Sequence, residues 1–78
     1  MAKQAAFYIA EQKADEFIND NAQGIWSKTE ICYKRPTVVK MYYESVSLNP
    51  RVREMAIGKI DALRADLEDR TRLVGKLH

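Results

Sequence analysis

Cys32 is the one thiol in this chain of 78 residues, and a cysteine acting as a nucleophile needs a neighbouring base to activate it. The single imidazole, His78, is the terminal residue and is expected to fray. One Cys and one His are too few ligands for a Cys/His zinc site, and a lone Cys closes no internal disulfide. Cys32 is therefore expected as a small buried thiol in a reduced, cytoplasmic protein. Gly24, Gly58 and Gly75 are scattered, so no glycine-rich loop is present to cradle a phosphate. The carboxylates stand beside Lys or Arg on expected helix surfaces, where ion pairing accounts for them. These residues predict no enzyme, no cofactor and no metal.

Binding chemistry is better supplied. The net charge of +2 is unevenly spread. Residues 1–23 carry a net −2, residues 24–53 carry +4, and residues 54–78 balance. The basic segment holds Lys28, Lys34, Arg35, Lys40, Arg51 and Arg53, interleaved with Trp26, Tyr33, Tyr42 and Tyr43. Cations interleaved with aromatics suit a polyanion. The same pattern also fits solvated cations above a core that contains the rings.

The elements that must position these groups are helices. With 31% charged and 46% hydrophobic residues the chain has the composition of an ordinary globular domain. Its length allows one core, marginal unless helix packing is good or chains associate. The longest apolar run, six residues from Ala5 to Ala10, is far below the ~20 needed to span a bilayer. It has neither the flanks nor the cleavage site of a secretory signal, so no membrane association is expected.

Phe7, Ala10, Ala14 and Phe17, widened by Ile9 and Ile18, recur at helical spacing and predict a first helix over about 2–22, closed near Gly24. Ser27-Lys28-Thr29-Glu30 fits a capping box, with Ile25 placed to staple on Ile31. Pro36 disfavours helical geometry at Arg35 and suits the first turn of a new helix. A short second helix over 28–34 and a third over 36–46 follow. Asn49-Pro50 starts a last helix over about 50–76. In it Ala56, Ile60, Leu63, Leu67, Arg70, Val74 and Leu77 form a heptad seam with one charged interruption. Pairs Arg64–Glu68, Asp66–Arg70 and Glu68–Arg72 stand at i,i+4 on its wet flank. The expected fold is an all-α, four-helix domain over 1–78. The early seam packs on the first helix. Its later half, from about Leu67, is expected to be partly free for a partner or a second copy.

Two short helices at a tight turn are what a helix-turn-helix requires, with the first residues of the second helix facing base edges. From Thr37 to Leu63, TVVKMYYESVSLNPRVREMAIGKIDAL resembles the stretch of lac-repressor-type DNA-binding headpieces that begins at the recognition helix. Thr37-Val38, Lys40, Pro50, Arg53-Glu54, Ile60 and Leu63 fall at matching positions without a gap. The resemblance implies base or phosphate contacts from Arg35, Thr37, Lys40 and Tyr43, and a phosphate contact near Asn49. Lys34 flanks the same corner. Arg51 and Arg53 stand in a first helical turn, where the dipole disfavours cations unless an anion is bound. The sequence departs from the family in the helix before the turn, where Lys28 stands at the position of a packed Ala.

Two functions follow. One is a small DNA-binding regulatory protein using residues 27–54, dimeric through Ile60, Leu63, Leu67, Val74 and Leu77. The other is a helical adaptor or inhibitor of a protein partner, of the phage- or plasmid-type accessory class, contacting it through Trp26, Tyr42, Tyr43 and the C-terminal seam. A purely structural assembly subunit is the third possibility.

Overall fold

The computed structural model describes residues 3–76, with side chains as far as Leu73. Three helices follow one another: α1 Lys3–Asn21, α2 Lys28–Glu44 and α3 Pro50–Lys76. They run down, up and down, with α2 packed between the other two and α1 touching α3 least. The expected all-α class holds, with three helices in place of four.

The α1–α2 corner is built as the sequence suggests. Gly24 takes φ 82°, a left-handed conformation that reverses the chain, and the Trp26 amide donates to the Ala22 carbonyl at 2.9 Å. Ser27 then caps α2. Its Oγ accepts from the Glu30 amide at 3.1 Å, and the Ser27 amide donates to the Glu30 carboxylate at 3.2 Å. At the second corner the Asn49 side chain accepts from the Arg51 amide at 3.0 Å and starts α3.

The break expected at Pro36 does not occur. Residues 28–44 form one helix with Pro36 in its interior, so there is no turn between 34 and 36 and no helix-turn-helix corner. An interior proline removes one ladder bond, here the bond to the carbonyl of Cys32. Both Cys32 and Pro36 lie on the exposed side of α2, where water can satisfy that carbonyl. The buried thiol expected at Cys32 is thus an exposed one. Immediately beyond the proline, Val38 and Val39 are both buried, and their packing holds the helix on course.

The core is assembled from Ala10, Ala14, Phe17 and Ile18 of α1, Val38 and Val39 of α2, Ile60 and Leu67 of α3, and Ala22 and Trp26 of the first corner. The alanines of α1 let α2 approach closely. Leu67 is 0% exposed and Ile60 is buried, with Leu63 packed at the edge. The early seam therefore closes the core of its own chain. Leu67, expected to be partly free, is fully buried, and Ile60 and Leu63 pack in the same core. The side chain of Val74, and Leu77 as a whole, lie outside the described residues.

The flank of α3 pairs at a different step from the one expected. Arg64 meets Asp61 at 3.1 Å and Arg72 meets Asp69, both i,i+3. Arg64 also lies over the Phe17 ring, 5.6 Å from its centroid, which ties α3 back to α1. At ~1.5 Å per residue the 27 residues of α3 span ~40 Å, which accounts for the 46 Å long axis of the molecule.

Replacing Leu67 by Ala should lower unfolding free energy in urea by about 3 kcal/mol, as a large-to-small change at a closed core site does. Leu48→Ala, at a side chain 97% exposed in the second corner, should change it by less than about 0.5 kcal/mol.

Candidate functional site

The continuity of α2 redirects the side chains expected to face nucleic acid. Arg35 turns toward α1. Its Nε donates to Asp15 Oδ1 at 2.7 Å, its Nη2 donates to Oδ2 at 3.2 Å, and the Glu11 carboxylate lies 3.6 Å away. This two-pronged pairing joins α1 to α2 across 20 positions of sequence. The Arg35 bonds hold the Asp15 carboxyl below the usual carboxylate range, against a smaller opposing effect of burial. Lys34 pairs with Glu30 at 3.7 Å and covers the Trp26 ring at 4.7 Å from its centroid. The backbone bond from Ser27, aided by Lys34 and Arg70, also keeps Glu30 readily ionised.

The remaining candidates separate. Arg53 Nη1 donates to the Ser47 carbonyl at 3.0 Å, and Asn49 is occupied as the cap of α3. Arg51 is exposed at the second corner. Thr37 and Lys40 are exposed, three residues apart on the outer face of α2. Tyr43 is half-buried, its ring 6.2 Å from that of Phe7 in an edge-on arrangement. Of the eight expected contact residues, Lys40 and Tyr43 line one hollow and Thr37 stays exposed on α2, while Asn49, Arg51 and Arg53 stand at the start of α3. Trp26, expected on a contact surface, is 5% exposed and belongs to the core.

What α1 and α2 do build between them is an apolar groove. Two hollows of about 510 and 460 Å³ adjoin one another and share Phe7, Glu11 and Tyr43. The second is lined by Phe7, Pro36, Val39 and Tyr43, with Glu11, Arg35 and Lys40 beside them. The first continues toward Tyr8 and Lys3. Phe7 is 49% exposed and Tyr8 61%, large apolar areas for side chains with a core so near. Among the described residues Lys3 and Lys40 have no acid within ion-pair distance. Glu11 is already engaged by Arg35.

Sequence reasoning placed Phe7 and Ile9 in the core stripe and gave Tyr8 and Pro36 no binding role. A signal was present. Phe7, Tyr8 and Ile9 are consecutive, and consecutive helical residues point about 100° apart, so three bulky apolar side chains cannot share one core face. The core closes at Ala10, one turn below.

No protein-family model, curated protein or solved structure matches this chain.

The folded pKa of Asp15 lies below its unfolded value. Its ion pair therefore stabilises the fold above the unfolded pKa, and that stability is lost as pH falls through the folded one. Asp15→Asn should cost at most about 1 kcal/mol at pH 7, since the pair is largely solvated. Thermal melts of the two proteins should converge as pH falls below the folded pKa of Asp15, where the carboxylate is protonated in both states.

Proposed function

We propose that this chain is a small helical protein-binding module, an adaptor or inhibitor without catalytic function, whose contact surface is the groove between α1 and α2. The observation that carries this reading is the half-exposed Phe7 beside Tyr43 and Tyr8, a contiguous apolar surface at the mouth of a hollow. Aromatic side chains bury large areas with few torsions to fix, which is why they dominate the energetics of protein interfaces.

The charge distribution favours the same reading over DNA binding. Arg35 and Lys34, central to a nucleic-acid face, have their charges matched within the chain. Thr37 and Lys40 are left with one free cation between them on the outer face of α2, where a DNA-binding protein engages several phosphates at once. The C-terminal seam, the other contact surface expected, is engaged in the core as far as Leu67.

Affinity capture with immobilised chain, read by quantitative mass spectrometry, tests the reading. Wild-type chain should retain a protein that Phe7→Asp loses, with both chains equally helical by circular dichroism. Retention unchanged by Phe7→Asp would overturn it. So would titration onto mixed duplex DNA with an affinity falling steeply with salt and indifferent to Phe7→Asp.

A further inference from the structure

The groove has a charge as well as a shape, and resting on the reading above, we infer that its occupant is an amphipathic helix with acidic residues flanking its apolar stripe. The groove's apolar lining is Val39, Pro36, Phe7 and Tyr43, with Glu11, Arg35 and Lys40 as the charged residues beside them, and the half-buried Tyr43 ring is packed edge-on against Phe7. No edge strand is on offer to a partner here, because the groove is walled by helices on both sides. An extended peptide would bring backbone amides and carbonyls against an apolar floor with nothing to satisfy them. A helix satisfies its own backbone and presents only side chains, at i, i+3, i+4 and i+7, to such a surface.

The rim fixes the sign. Lys3 stands at one end and Lys40 at the other, both unpaired among the described residues. The groove's own acid, Glu11, lies 3.6 Å from Arg35, which is itself bonded to Asp15. An incoming carboxylate therefore meets free cations at both ends, while an incoming Lys or Arg meets those same cations and an acid already neutralised. From Lys3 to Glu11 the groove follows two turns of α1, ~12 Å, enough for about two turns of a docked helix, the span from i to i+7.

A helix-constrained peptide of three turns supplies the probe, with Leu at i, i+3/i+4 and i+7 and flanking positions either all Glu or all Lys. Binding is read by fluorescence anisotropy, and the site by chemical-shift changes in labelled full-length chain. The acidic peptide should bind about tenfold more tightly than the basic one, as two rim ion pairs of ordinary surface strength allow. It should shift Phe7, Val39 and Tyr43, and Lys40→Glu should erase or invert the preference while leaving the fold intact by thermal melt. Equal binding of both peptides at the groove would overturn the acidic assignment and leave the protein-binding reading standing. Neither peptide binding, while captured protein remains sensitive to Phe7→Asp, would overturn the helical occupant alone. Acidic-peptide binding indifferent to Phe7→Asp would overturn the proposal and remove the groove as the contact surface. A dimer by sedimentation that Phe7→Asp dissociates would assign the groove to a second copy instead.

Discussion

An interior proline is among the most disruptive residues a helix can hold, at about 3 kcal/mol relative to Ala, and yet α2 runs through Pro36 without a turn. Everything else in the molecule depends on that continuity. Pro36 stands on the outer side of the helix, so the carbonyl it orphans faces water rather than the core. The next turn carries Val38 and Val39, both buried. Adjacent helical residues face different neighbours, so this pair engages both sides of a helix that lies between α1 and α3. Burying two such side chains is worth several kcal/mol, at about 1.5–3 kcal/mol each, and breaking α2 at the proline would give that up.

Once α2 is a single strut, the charges on it are redistributed. In a bent chain Lys34 and Arg35 would project from the outside of a corner. On the continuous helix Arg35 reaches back to Asp15 and Glu11, while Lys34 lies over Trp26 and beside Glu30. Arg35 thus ties the acidic first segment to the basic middle segment across one helix pair, while Lys40 keeps no acid within ion-pair distance among the described residues. The strut also outruns the core. Ala10 is the first buried residue of α1, so Phe7 and Tyr8 stay exposed beside Tyr43. The groove is where the α1–α2 interface leaves its aromatic side chains exposed.

Much of this was legible in the residues themselves. The Ser27–Glu30 box, Gly24 and the Asn49-Pro50 start are local devices whose bonds form within a few positions, and they stand where the sequence puts them. The seam from Ala56 to Leu67 was legible too, because its period depends only on helix geometry. The fate of Pro36 was not. Its local preference points to a break, and only the burial of Val38 and Val39 against two other helices overrides it. The partner of Arg35 lies 20 positions away on another helix, a distance over which spacing carries no information. Cys32 was placed inside because free thiols usually are, whereas its position one turn before Pro36 puts it on the watery side. For the groove, the consecutive Phe7, Tyr8 and Ile9 showed that some apolar surface had to stay outside, but not which element would stand beside it.

Solution NMR of the full chain tests the unbroken strut and the groove it creates together. Uninterrupted helical Cα shifts from Lys28 to Glu44, with nuclear Overhauser contacts linking the Phe7 ring to Tyr43 and Val39, are the predicted result. Non-helical shifts at residues 34–36, with no contact between Phe7 and Tyr43, would contradict the account at its root.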